Sequence, residues 1–268
     1  MPAVVEVEAV TANGHVNGKT GDLVDHTPAH SAFASIPDVI QAVANDEFVI
    51  VLDSPSRENE GDLIIAASAL TPAKASFMIR YSSGYICAPL PVARAAALHL
   101  PQMVTENADP NQTAYAVTID AAHPDATTGI SATDRARTCN MLADPAAKAS
   151  HFRRPGHILP LQAREGGVRV RRGHTEAAVD LCRLAGKGDV GVICELITDG
   201  EKVEGKTELV GGGMMRRDDC LKFGKEWGIK VCTIEDLVTY IEENEGSWRW
   251  REGLLRGGRG RLEYWGCW

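Results

Sequence analysis

Arg57-Glu58-Asn59-Glu60-Gly61-Asp62 sets three carboxylates and one guanidinium within six residues. The run Phe48-Val49-Ile50-Val51-Leu52-Asp53 stands just before it and has the composition of a buried strand. A second apolar run, Leu63 to Leu70, follows directly. Both flanks belong in a core, so the charges between them are carried inward. Carboxylates held there are costly unless they are paired, hydrogen-bonded or coordinating a cation. The stretch reads with equal weight in two ways. It is a polar turn with solvated acids, in which Gly61 permits an unusual backbone angle, or a site for a hard metal and a sugar phosphate.

Working outward, the strand before the charges is preceded by a helix from Ile36 to Ala44, with Ser35 as its cap and Asp38 three residues on. The strand expected over Leu63–Leu70 leads to a helix from Pro72 to about Tyr81, capped by Thr71 and stopped by Ser82-Ser83-Gly84. Tyr85–Pro89 reads as a short strand and Val92–Leu100 as an Ala-rich helix. Alternation over Thr113–Asp120 predicts a half-buried strand. Ser131 with Asp134 forms a capping box ahead of a helix to about Ala143. His157–Gln162 reads as a strand, with Gly166-Gly167 turning it back into a hairpin with Val168–Val170. A helix over His174–Ala185, an apolar run over Val190–Ile197 broken only by Glu195, a helix over Arg216–Trp227, a strand over Ile229–Cys232 and a helix from Thr233 to about Asn244 complete the core. Helices and strands mix irregularly and no repeat appears. The expected fold is α+β, a single domain over residues 33–246 with a mixed twisted β-sheet sandwiched between helical layers. Residues 1–32 read as a disordered leader and 247–268, with Arg256-Gly257-Gly258-Arg259-Gly260-Arg261, as a flexible tail.

At 268 residues and 44% hydrophobic content the chain can bury one substantial core. A net charge of −8 argues against a general nucleic-acid footprint. Seven cysteines, scattered and without a CxxC pair, read as reduced, mostly buried thiols of a cytoplasmic protein. No stretch approaches the roughly 20 apolar residues of a membrane span.

Four polar stretches need reading together: Arg57–Asp62; Thr127–Arg135, a small-residue turn feeding a helix N-terminus; Arg153-Arg154-Pro155-Gly156-His157; and Arg171-Arg172-Gly173-His174-Thr175-Glu176. Each alone is weak. A lone His is more often a satisfied structural residue than a catalyst, and a double Arg is usually a solvated edge.

Jointly, with Cys194-Glu195-Leu196, these blocks resemble the 3,4-dihydroxy-2-butanone 4-phosphate synthase family of riboflavin biosynthesis, over about Ser35 to Glu245. The chain ends where bifunctional relatives would continue, so it is similar to the monofunctional form. The resemblance implies conversion of D-ribulose 5-phosphate into 3,4-dihydroxy-2-butanone 4-phosphate and formate, with Mg²⁺ (Mn²⁺ substituting) and on a homodimer. It implies Glu58 and His174 as metal ligands and His157, Glu195, Glu60 and Asp62 as catalytic residues. Substrate contacts would come from Arg57, Glu58, Asp62, Thr133, Asp134, Arg171, His174, Thr175 and Glu195. The residue types suit enediolate chemistry: hard oxygen ligands for Mg²⁺, and a carboxylate within an apolar strand, Glu195, whose pKa burial should raise. The structural alternative for Glu195 is an ion pair with a neighbouring Arg. Two rivals remain: a metal-dependent sugar-phosphate isomerase or aldolase, which would release no formate, and an RNA-binding module using the Arg clusters. The acidic total and 6% aromatic content count against the second.

Overall fold

Val49–Leu52 and Gly61–Ala66 are buried at every residue, as strands covered on both faces must be. The computed structural model describes residues 32–246. The expected leader (apart from Ala32) and the expected tail, with Cys267, lie outside the described residues.

In chain order the elements are α1 (Ile36–Ala44), β1 (Val49–Leu52), β2 (Gly61–Ala66), α2 (Pro72–Tyr81), β3 (Cys87–Pro91), α3 (Val92–Ala97), β4 (Ile119–Ala121), α4 (Ala132–Ala143), β5 (Phe152–Ala163), α5 (His174–Leu184), β6 (Gly191–Glu195), β7 (Ile197–Thr198), β8 (Glu201–Lys202), β9 (Leu209–Val210), β10 (Gly213–Met214), α6 (Arg217–Trp227), β11 (Lys230–Thr233) and α7 (Ile234–Glu245). Seven strands form one sheet in the order β11-β1-β2-β6-β3-β5-β4. The β1–β11 and β3–β5 pairs are parallel and the other neighbours antiparallel, so the sheet is mixed, as expected.

Helices α1, α5 and α7 contact one another, with α5 running across the middle of the sheet. Helix α2 meets α4 and, through Phe77 against Phe223, α6. The sheet lies between these two helical groups. Ile50, Leu63, Ile64 and Ile65 are at most 1% exposed at its centre, and each such side chain contributes about 1.5–3 kcal/mol by leaving water. Gly61 is required by a close approach. A Cβ there would stand 2.5 Å from Cys220 Sγ, so only glycine lets α6 reach the start of β2.

The expected caps are in place. Ser35, Thr71, Ser131 and Thr233 each accept from the backbone N–H three residues on. Three expectations need correction. The strand expected over Leu63–Leu70 ends at Ala66, and Ala67–Ala69 forms a 3₁₀ turn, with Asn140 of α4 donating to the Ala67 and Leu70 carbonyls. The strand expected over Thr113–Asp120 is reduced to Ile119–Ala121, with isolated bridges at Tyr115 and Ala116. Its ladder is broken by a register shift between Ile119 and Asp120, which an alternating pattern does not foretell. The hairpin expected at Val168–Val170 is a 3₁₀ turn over Gly167–Arg169. Gly167 is left-handed there, and the Asp180 carboxylate takes the Val168 N–H at 2.9 Å. That bond pulls the segment onto α5 and away from β5. The short pairs β7–β10 and β8–β9 are two residues long and carry no readable period.

Six described cysteines are free and buried, as expected. No helix among the described residues is long and apolar enough to cross a membrane.

Candidate active site

The turn between β1 and β2 is built on Asp53, whose side chain is fully buried. Its oxygens accept from Arg57 Nη1 at 2.9 Å, Glu58 N–H at 3.0 Å and Glu60 N–H at 2.9 Å. Three donors on one carboxylate fold the loop inward around it, and Asn59 takes a positive φ of 56° to complete the turn. The loop thereby turns Glu58, Glu60 and Asp62 toward a cleft whose other walls include Arg171, His174, Thr175 and Glu195.

Glu58 accepts from Arg57 Nη1 at 2.5 Å and from Asn111 Nδ2 at 2.7 Å. Its Oε2 lies 3.7 Å from His174 Nδ1, the distance of an ion pair and too long for a hydrogen bond. His174, and then Arg57, hold the Glu58 carboxyl down at about 2 against its burial. His174 opens α5 after Gly173, and its Nε2 meets the Val51 carbonyl at 3.1 Å. A carbonyl only accepts, so Nε2 carries the hydrogen and Nδ1 faces the acids. Burial alone would lower this imidazole; Asp62, Glu58 and Asp53 outweigh it and raise it to about 9.

Asp62 is 2% exposed. Among the described residues its Oδ1 has no hydrogen-bond partner, and it stands 3.5 Å from His174 Nδ1. Burial raises this carboxyl to about 7, with Glu195 and Glu58 adding to the effect. Glu60 is also raised, by burial first and Glu58 second. Glu195 is paired with Asp62 in the β2–β6 register. It is half-buried at the strand end, not enclosed in an apolar run as expected, and accepts from Ser83 Oγ at 2.9 Å. Within this cleft the buried carboxyl with a raised pKa is Asp62.

Arg171 lines the cleft, yet its donors are engaged: Nη1 to Glu176 at 2.6 Å, Nε and Nη2 to the Asn111 carbonyl, and Nη2 to Thr113. It ties the 107–113 loop to α5. Thr175 is 4% exposed beside His174.

His157, Thr133 and Asp134 are not brought to this cleft. The His157 Nδ1–H donates to Asp120 Oδ2 at 2.8 Å, and its N–H to Asp120 Oδ1 at 2.9 Å. The imidazole is 40% exposed, with Nε2 unprotonated in that tautomer. Thr133 lines a separate groove along α4 with Arg137 and Asn140. Asp134 is turned into its own loop, accepting from the Thr127 N–H and hydroxyl, the Gly129 N–H and the Ser131 hydroxyl. Those oxygens serve the turn.

Sequence reasoning missed Asp53, Asp120, Asn111 and Ser83. Only Asp53 had a signal, as an acid ending a buried strand; the others are joined to their partners by the fold.

Asp53, Glu58 and His174 offer ligand atoms all within 4.8 Å of one another. The Asp53 oxygens already hold three donors, so the pair available to a cation is Glu58 with His174 Nδ1. A carboxylate oxygen, an imidazole oriented by a carbonyl on its other nitrogen, and the buried Asp62 Oδ1 nearby suit a hard divalent ion that keeps open positions.

The 3,4-dihydroxy-2-butanone 4-phosphate synthase family profile matches residues 37–240. The chain belongs to this family. Its members are lyases of riboflavin biosynthesis. The synthase of Pyricularia oryzae (strain 70-15) is 62% identical over 217 residues, covering 81% of this chain and 93% of that protein. The synthase of Schizosaccharomyces pombe (strain 972) is 51% identical over 210 residues, 78% of this chain and 98% of that protein. A synthase crystal structure in complex with two magnesium ions aligns with a TM-score of 0.79 at 61% identity, covering 80% of this chain and all of that one.

Proposed function

We propose that this synthase-family chain converts D-ribulose 5-phosphate into L-3,4-dihydroxy-2-butanone 4-phosphate and formate. The observation that carries the reading is the convergence of Glu58, His174 and Asp62 at one cleft, with Glu195 paired with Asp62 in the neighbouring strand. Mg²⁺, or Mn²⁺ in its place, would be held by Glu58 and His174 Nδ1 and would supply Lewis-acid stabilisation of developing negative charge on substrate oxygens.

The chain's own residues handle protons and position. Forming an enediol, eliminating water, shifting the skeleton and expelling one carbon require transfers at more than one carbon. Asp62, raised to about 7, can take and return a proton near neutral pH. Glu60, on the same loop, and Glu195, at the end of β6, act at the reacting end. The two products together contain the atoms of the substrate, so the water eliminated is balanced by one taken up when the one-carbon fragment leaves as formate, and no oxidant is needed. Arg57 and Arg171 line the cleft, and the α5 N-terminus with Thr175 suits an anionic phosphate.

His157 is assigned the remaining acid–base role. It stands outside its own cleft, so that role requires a second subunit to deliver it, which agrees with a homodimer whose sites lie near the interface. Asp120 would fix its tautomer, leaving Nε2 as the base. The reading places the enzyme in the cytoplasm, supported by six free, buried thiols.

Purified protein incubated with ribulose 5-phosphate and Mg²⁺ is expected to release formate and the four-carbon phosphate in equal amounts. Consumption of the pentose phosphate without formate would replace this reading with isomerase or aldolase chemistry.

A further inference from the structure

We propose that Ser83 is a positioning residue for Glu195, held in place by Arg135 from α4; the proposal rests on Glu195 taking part in the reaction. Ser83 lies in the turn after α2, outside every sequence motif that points to the family. It grips Glu195 at two points. Its N–H donates to the Glu195 carbonyl at 2.8 Å, and its hydroxyl donates to Oε2 at 2.9 Å.

The direction of that hydroxyl is determined by its other neighbours. Tyr85 N–H donates to Ser83 Oγ at 3.2 Å, and Cys194 Sγ lies 3.2 Å away. The single hydroxyl hydrogen is therefore left for the carboxylate, the strongest acceptor within reach.

The turn itself is braced from behind. Ser82 donates from its hydroxyl to the Met78 carbonyl at 2.5 Å and accepts the Gly84 N–H at 3.3 Å. Arg135 donates from Nη1 to the Gly84 carbonyl at 3.0 Å. Arg135 is 8% exposed and among the described residues its Nε has no acceptor. A guanidinium is unfavourable to bury, and here its hydrogen bond to the Gly84 carbonyl holds the residue next to Ser83. The line Arg135–Gly84–Ser83–Glu195 thus runs from α4 to the cleft. It gives a half-buried carboxylate at a strand end a fixed orientation, where a free Glu side chain would sample several rotamers.

The test is a double-mutant cycle on turnover, with thermal melting as a control for folding. Ser83→Ala is expected to lower kcat by about tenfold, with KM for ribulose 5-phosphate within about twofold of wild type, the scale of one hydrogen bond to a charged group. Ser83→Thr, which keeps the hydroxyl, is expected to recover kcat to within about threefold. In a Glu195→Gln background, Ser83→Ala should cost less than about twofold more, because the carboxylate it positions is already gone. If the Ser83→Ala loss is as large in that background as alone, Ser83 acts elsewhere and the positioning role is overturned. Full turnover in Ser83→Ala overturns it as well. If instead Glu195→Gln itself stays within tenfold of wild type, the catalytic reading of Glu195 fails first, a result distinct from either outcome on Ser83.

Discussion

Asp62 and Asp134 are each 2% exposed, yet the protein treats them in opposite ways. Asp134 sits at the start of α4 among four donors: two from Thr127, one from Gly129 and one from Ser131. The Thr127 hydroxyl, then Ser131 and the loop N–H groups, hold its carboxyl below the ordinary value. Asp62 sits at the start of β2 with an oxygen that accepts no hydrogen bond among the described residues, and burial raises it to about 7. Burial alone does not make a carboxylate reactive. A buried acid supplied with donors is a building element, while one left without them near an imidazole is held ready for proton transfer.

The comparison is tested hardest at the cation pair beside Asp62. Glu58→Gln and His174→Ala are expected to lose about 10²–10³-fold in turnover, the scale of losing a pre-placed electrostatic group. Calorimetry with Mg²⁺ in the presence of substrate should show weakened binding in both. Wild-type affinity in either would remove that residue from the ligand pair.

Asp62→Asn and His157→Ala should each lose at least about 10²-fold in turnover. The two differ in a way that mixing experiments resolve. His157→Ala mixed with Glu58→Gln, then dissociated and reassociated, should regain activity, because in the homodimer proposed above one site of a mixed pair would keep both residues intact. Asp62→Asn mixed with Glu58→Gln should regain none, since both belong to the cleft of one chain. Failure of the first mixture to recover would place His157 on its own chain's site or outside the reaction.

Asp134→Ala should reverse the pattern, leaving turnover within about threefold. Its orphaned donors should lower stability by about 1–3 kcal/mol, read as a fall in melting temperature. A loss of turnover without a loss of stability would return Asp134 to the substrate contacts expected from sequence. The smallest effect is on pH dependence. A carboxyl depressed in the folded state stabilises above its unfolded pKa of about 3.9, and that contribution is lost as pH falls through the folded value. Asp134→Asn should therefore show a shallower loss of stability on acidification below about pH 4 than wild type.

Much of this protein was determined by short stretches of sequence. Ser35, Thr71, Ser131 and Thr233 start their helices because a cap and the N–H it accepts lie three residues apart, so no distant contact is needed. The charge-bearing turn between two apolar strands was legible for the same reason: Asp53 organises it from within seven residues. Tertiary structure decided what depends on distant partners. The Val168–Val170 segment left its expected hairpin because Asp180 of α5 claimed its N–H. Glu195 is oriented by Ser83, 112 residues earlier, and His157 by Asp120, 37 residues earlier. Sequence names two aspartates, Asp62 closing an acid-rich turn and Asp134 closing a small-residue one. Asp134 draws its donors from within seven residues, whereas the fold buries Asp62 beside His174 and Glu195 from distant elements, and the free energy of a buried charge is determined by the groups packed around it.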